Sequence, residues 1–331
     1  MTLFPWLISA LALLPSFNSR PSTPRVRTFT FDYTATLPAA PAGTDSVELW
    51  LPIPHPDASQ DIRELKINTQ AAYTITDAPF GNKVLHLKVP AVQAAGLTVD
   101  MQFQATRREH QNPFLAGATT KKVRPTDATD PNMARWLAPD RLVPLDPKIK
   151  GWAQEVVAKA NAKTDLEKAR AIYEHVVSTV TYDKTGQGWG RGDIYYACDA
   201  RRGNCTDFHA VFIGYCRALG IPARFSIGFP LPTERGAGEI KGYHCWAEFY
   251  TKQTGWVPVD ASEAAKDPSR RTYFFGAHDE NRVELTRGRD LVLNPRQEGA
   301  PLNYFVYPYA EADGKPLEGV KGQFRYQDVG K

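Results

Sequence analysis

Cys205 stands in Gly203-Asn204-Cys205-Thr206-Asp207-Phe208, just ahead of apolar residues that recur at intervals of three and four: Phe208, Val211, Phe212, Tyr215 and Leu219. Gly220 and Pro222 end that pattern, so a helix is predicted from this segment to about Leu219, with Cys205 in its first turn. Unpaired backbone N–H groups and the positive end of the helix dipole favour a thiolate there. They can bring a cysteine from ~8.5 into the ~3.5–7.5 range, where sulfur is nucleophilic. Most cysteines are small core residues, which suits Cys216 in mid-helix; Cys205, between polar Asn204 and Thr206, fits that role poorly.

A second segment supplies a base. Gly242 to Tyr250 and Trp256 to Asp260 read as two strands joined by the turn Thr251-Lys252-Gln253-Thr254-Gly255. Pairing Tyr250 with Trp256 sets Trp246 opposite Asp260 and makes His244 its diagonal neighbour on the same face. A carboxylate on one ring nitrogen fixes the tautomer in which the other can take a thiol proton, so Asp260 would orient and His244 would act as base. His55, His86, His110 and His278 have no such setting and read as satisfied structure; His209, one turn after Cys205, reads as a solvated helix position rather than a support for the site.

The elements that must position these residues follow from periodicity. Phe29, Phe31, Tyr33 and Ala35 alternate on one strand, and Val47, Leu49, Leu51 and Ile53 on another; Leu85 to Val89 and Leu97 to Ala105 continue the pattern. Residues 26–110 are therefore expected to form an antiparallel β-sandwich, followed by a linker at 111–145. Helices are predicted near 147–161, with Asp146 as N-cap and Pro147 at N1, and near 165–180, behind the capping box Thr164-Asp165-Leu166-Glu167. Four β-like segments after Asp260, around Leu285, Val292, Phe305 and Phe324, are expected to complete the sheet of a catalytic domain at 146–331. The glycine-rich stretch 186–193 lacks the Gly-Lys-Ser/Thr ending and the preceding strand of a phosphate loop, and reads as a mobile loop at the rim of a site.

Four blocks resemble the transglutaminase-like superfamily of papain-type cysteine enzymes, as found in bacterial single-chain proteins. They are Gly-Asn-Cys-Thr-Asp-Phe at 203–208, Arg-Ala-Leu-Gly-Ile-Pro-Ala-Arg at 217–224, His-Cys-Trp-Ala-Glu at 244–248 and Gly-Trp-Val-Pro-Val-Asp at 255–260. The resemblance covers 165 to about 262. It implies an α+β fold, a papain/transglutaminase-like core in which the cysteine helix packs on an antiparallel sheet bearing His and Asp. It implies acyl transfer from an amide through a thioester, with Cys205 as nucleophile, His244 as general base and acid, and Asp260 as orienting residue. Arg224 reads as closing the helix-to-strand turn. The oxyanion donors are less legible: the Cys205 N–H is one, Asp199 cannot donate as a carboxylate, and Trp189, Tyr195 and Tyr196 are candidates for another.

Composition bounds the function. With 40 basic and 36 acidic residues, a net charge of +4 and no run of five like charges, the 331-residue chain lacks the electrostatic footprint of a nucleic-acid or membrane-surface binder. Four cysteines without a Cys-x-x-Cys pair suggest neither a disulfide framework nor zinc, and no cofactor or metal is expected. A Cys216–Cys245 disulfide is not expected if the helix packs on the His244 face, because Cys245 then points away. The apolar run Leu3 to Leu14 is too short to span a bilayer, which takes about 20 residues, but fits a signal-peptide core of about 7–15. Residues 1–25 are thus expected to be a signal peptide of an exported protein, or else a hydrophobic arm. Hydrolysis of peptide or amide substrates is the leading expectation, because no calcium-binding carboxylate cluster like that of animal transglutaminases is evident. Transfer to an amine, and a non-catalytic binding or assembly module, are the alternatives.

Overall fold

A computed structural model describes residues 23–116 and 133–330. The apolar run Leu3 to Leu14 and residues 117–132 of the 111–145 connection lie outside the described residues. As the alternation requires, Phe29, Phe31, Tyr33 and Ala35 are fully buried along the strand Val26–Thr36. This strand pairs antiparallel with Thr98–Arg108, Phe31 opposite Phe103. The facing sheet pairs Ser46–Ile53 with Asn82–Pro90, Leu49 opposite Leu87. Fully burying one such side chain contributes roughly 1.5–3 kcal/mol, so the two interior rows hold the sandwich together.

Both sheets of the sandwich are completed from far downstream. Lys321–Asp328 pairs with Val26–Thr36, Tyr326 opposite Phe31. Tyr309–Ala312 pairs with Ser46–Ile53, Ala310 opposite Leu49. Of the later β segments only Arg282–Arg287 joins the sheet that bears His244, so the expectation that all of them would complete that sheet is corrected. Their alternation suits either sheet, and the rows of Phe31 and Leu49 offered unfilled edges.

The later part of the chain comprises helices α1 (Pro147–Lys159), α2 (Asp165–Thr179), α3 (Ile194–Ala200), α4 (Cys205–Ala218) and α5 (Ala261–Lys266), around a four-stranded sheet. The strand order in that sheet is 255–259, 244–251, 223–230, 282–287. Asp146 caps α1 by accepting from Lys148 N and Ile149 N, and Thr164 with Glu167 forms a complete capping box at α2. Such caps contribute about 1 kcal/mol each.

Side-chain amides from the first half of the chain seal the edges of this sheet. Gln60 donates to Glu284 O at 3.0 Å and accepts from Glu284 N at 2.9 Å. Asn82 makes the same pair of bonds to Arg287, at 2.7 and 2.8 Å. On the opposite edge Asn112 donates to Thr254 O and Trp256 O. Backbone groups that would otherwise be buried unpaired, or exposed as a template for another strand, are thereby satisfied. Phe229 continues the seam, 5.4 Å from Phe31 and 4.2 Å from Phe324 between ring centroids. At Gly228 the strands run so close that a Cβ would lie 1.8 Å from Val283 O, which is why the bulge there carries glycine.

Candidate active site

Asn204 caps α4, its side chain accepting from Thr206 N, while Asp207 closes the capping box on Asn204 N. Cys205 therefore occupies the first turn, 1% exposed. Asp207 also accepts from Gly190 N at 2.7 Å and Gly192 N at 3.0 Å, pinning the glycine-rich loop to the start of the helix. Arg289 holds the same loop by donating to Gly192 O and Arg191 O, and Tyr243 and Tyr304 both donate to Gly190 O. A mobile loop was the expectation; the buried Asp207 carboxylate and Arg289 guanidinium fix it instead. Gly203 next door has a φ of +155°, and a Cβ there would lie 2.2 Å from the Asp207 carboxylate.

The hairpin has the register read from the sequence, Tyr250 opposite Trp256 and Ala247 opposite Val259. His244 opens its strand and donates from Nε2 to Asp260 Oδ2 at 2.8 Å. That bond leaves Nδ1 for the Cys205 side of the ring, and the two groups shift each other's titration. The three residues singled out in the sequence are thus brought together in one buried cluster. Asp260 has further partners. Its Oδ2 accepts from Arg282 Nη1 at 2.9 Å, and its Oδ1 accepts from Ser262 Oγ and Glu263 N, capping α5.

Electrostatics organise the cluster into an ion pair. Burial alone would push the His244 pKa down, but the Asp260 charge and hydrogen bond, with the Cys205 contact, raise it to about 10. Burial likewise acts to raise the Cys205 thiol, yet hydrogen bonds from Cys245 and His244 and the His244 charge bring it well below its ordinary value. Asp260, despite burial, is held far below the usual carboxylate range by His244 and Arg282. Both shifts favour a thiolate beside an imidazolium, the form in which sulfur attacks without prior proton transfer.

Three expectations are corrected. The helix packs on the Cys245 face of its strand and not on the His244 face: Phe212 meets Phe249, rings 6.0 Å apart, while Trp246 on the other face lies against Arg282. His244 still reaches Cys205 because it stands at the end of the strand, beside the helix start. His209 is fully buried rather than solvated. Its Nδ1 donates to Cys205 O at 2.8 Å and its Nε2 accepts from Ala261 N at 3.2 Å, tying the Cys205 turn to the residue after Asp260. Burial above all lowers its pKa, so it bridges as a neutral ring. Finally, Arg217 closes the helix-to-strand turn, donating to Ala223 O at 2.9 Å, whereas Arg224 pairs with Glu248 on the adjacent strand.

The candidate oxyanion side chains are engaged elsewhere or sealed off. Trp189 donates to Gly186 O within its own loop, Tyr195 to Asp146, and the Tyr196 hydroxyl is buried against no polar partner. Sequence reading passed over Tyr243, whose hydroxyl accepts from Asn204 Nδ2 at 2.8 Å, and Arg282, which braces Asp260. An aromatic beside the histidine was a visible signal for the first. For Arg282, twenty-two residues beyond its partner, no local pattern existed. Cys216 is fully buried, Cys198 is half-buried with Sγ 3.4 Å from the Tyr215 hydroxyl, and all four cysteines are free thiols.

A buried thiol at a helix start, facing a carboxylate-held histidine on an antiparallel sheet, defines the papain-like class of folds. Residues 150–261 match the model of the transglutaminase-like superfamily. An uncharacterized protein of Haemophilus influenzae is 29% identical over 355 residues, covering 96% of this chain and 94% of that protein. The Bacillus subtilis protein YebA is 22% identical over 157 residues, 43% of this chain and 21% of its own length. Among solved structures, a candidate cysteine protease from Cytophaga hutchinsonii superposes with a TM-score of 0.56 at 17% identity, covering 94% of this chain and 92% of that one. The likeness extends through the sandwich as well as the catalytic half. Among the described residues no helix is long and apolar enough to cross a membrane.

Proposed function

We propose that this chain is an exported cysteine hydrolase acting on peptide or amide bonds, with Cys205 as nucleophile, His244 as acid and base, and Asp260 as orienting residue. The observation that carries the reading is the hydrogen bond of His244 to buried Asp260 at 2.8 Å, on a ring whose charge lowers the Cys205 thiol at the start of α4. In the forward step the thiolate adds to the carbonyl carbon, with the Cys205 N–H at the helix start facing the developing oxyanion. His244 gives its proton to the departing amine, leaving a thioester. The neutral imidazole then takes a proton from water, whose oxygen adds to the thioester and releases acid and thiolate. Arg282 and His209 hold the geometry without entering the chemistry. Export rests on the N-terminal apolar run.

The test is turnover of a peptide library by the wild-type protein and by Cys205→Ala. Loss of activity on the order of 10³-fold or more is expected for removal of a nucleophile. Undiminished turnover in the variant would overturn the reading. Incorporation of a labelled primary amine in place of water would assign the second half-reaction to aminolysis.

A further inference from the structure

Tyr182 stands at the edge of the candidate site. Thr181–Tyr182 pairs parallel with Arg202–Gly203, which sets Tyr182 opposite Gly203, two residues before Cys205. Its ring packs on Phe208 of α4, centroids 6.2 Å apart. Two ammonium groups gather over that ring from exposed side chains, Lys266 Nζ at 4.0 Å and Lys184 Nζ at 5.7 Å from the centroid. Lys266 ends α5, the helix that Asp260 caps, and its Nζ pairs with Glu263 Oε1 at 2.7 Å. The same oxygen is 3.9 Å from His244 Nε2, so the lysines stand on the histidine side of the thiol. Like charges repel, and this pair has little compensation. Glu263 serves Lys266, while the Asp183 carboxylate accepts from Thr185 N at 2.8 Å and Thr185 Oγ1 at 3.0 Å and pairs with Arg202. Lys184 has the Tyr182 ring and, among the described residues, no carboxylate within ion-pair distance. An ammonium has three N–H donors, and resting on a ring leaves donors free for an oxygen acceptor.

We propose that Lys184 and Lys266, held over Tyr182, form a subsite for a carboxylate on the half of the substrate that departs as the amine. The inference deepens the hydrolase reading and rests on it. His244 gives its proton to the departing amine, so that half lies on the histidine side, where Lys266 and its partner Glu263 stand. Carboxylates are the anions a peptide carries, at its end and on Asp and Glu. The chain is then trimmed from its carboxyl end or cut ahead of an acidic residue. Exposed charge pairs are individually weak, up to about fivefold in affinity each, so the selectivity comes from two ammonium groups meeting one carboxylate, about tenfold together. Salt screens exposed charges over about 10 Å at 0.1 M, so the selectivity falls as ionic strength rises.

The full chain carrying Cys205→Ala, in which binding is read apart from turnover, is titrated at low salt with an N-terminally labelled peptide library by fluorescence anisotropy. The library is made in three forms: free C-terminal carboxylate, C-terminal amide, and C-terminal amide with one internal Glu. Comparison of the first two isolates the chain end, and of the last two the acidic side chain. Binding of at least one carboxylate form about tenfold tighter than the neutral amide is expected. The ratio should fall to about one when Lys184→Gln and Lys266→Gln are added, and return with Lys184→Arg and Lys266→Arg, which keep the charge. Lys184→Gln alone breaks no ion pair, and a smaller ratio in that variant guards against an effect of freeing Glu263. Equal binding of all three forms, or a preference that survives loss of both lysines, overturns the proposal. Turnover with Cys205 intact separates the subsite from the chemistry. Cleavage of all three forms at equal kcat/KM overturns the subsite and leaves hydrolysis standing, whereas a lysine-dependent carboxylate preference in binding with no cleavage of any form overturns hydrolysis and leaves the carboxylate recognition.

Discussion

At the scale of single residues, the site depends on one carboxylate. Asp260 raises His244 to about 10 against the effect of burial, while the thiol of Cys205 moves the other way. Activity needs the deprotonated sulfur and the protonated ring. Turnover should therefore rise from the acid side as Cys205 loses its proton, stay level through neutrality, and fall near pH 10 as His244 loses its own. The stability contribution of the His244–Asp260 pair has the sign of a raised histidine: it is fully present below the ordinary histidine value of 6.5 and is lost as pH rises through about 10. In Asp260→Asn the alkaline limb of kcat/KM should move down by more than one pH unit and turnover should fall by roughly 10²–10⁴-fold, since the amide no longer selects the tautomer. A pH–rate profile of both proteins checks this, and an unmoved limb would mean that Asp260 does not set the His244 charge.

At the scale of elements, the start of α4 and the glycine-rich loop act as one unit through Asp207. Its carboxylate accepts from Gly190 N, Gly192 N and Asn204 N. Replacing it by alanine strands these N–H groups and should cost about 3 kcal/mol or more, with faster hydrogen exchange at 186–193 than elsewhere. Urea denaturation and exchange mass spectrometry read both effects. Much of this unit was legible in the sequence: Asn204 followed three residues later by Asp207 is a capping signal, and the apolar positions from Phe208 onward define the helix. The hairpin register was equally legible, because Tyr250 and Trp256 flank a turn of fixed length. What local pattern could not reveal was which face of the 244–251 strand the helix would cover, since both His244-Trp246 and Cys245-Ala247-Phe249 are apolar enough to be buried. His209 was misjudged for the same reason, as one polar residue on a helix is solvated unless a neighbouring element happens to supply a donor, here Ala261 N.

At the scale of the whole molecule, the two halves are interlocked rather than appended. Gln60, Asn82 and Asn112 complete the edges of the catalytic sheet, and Tyr309–Ala312 and Lys321–Asp328 complete the sandwich. These pairings join residues 142 to 299 positions apart in sequence, beyond the reach of periodicity, which is why the fate of the later strands was not legible. A chain ending at Pro308 should fail to unfold cooperatively, because Tyr33 and Phe229 lose the cover of Phe324 and Phe31 loses its cross-strand partner Tyr326. Circular dichroism through a urea titration is the check, and a sharp single transition would show the later strands to be dispensable. The pairing of Val26–Thr36 with Lys321–Asp328 also sets a timetable. The first strand of the pair waits through the synthesis of the entire catalytic half, on the order of tens of seconds at about 5–20 residues per second, before its neighbour exists. A growing chain thus carries Cys205 long before the scaffold beneath it can close, and on the proposed reading it becomes competent to cut only once Lys321–Asp328 has been made.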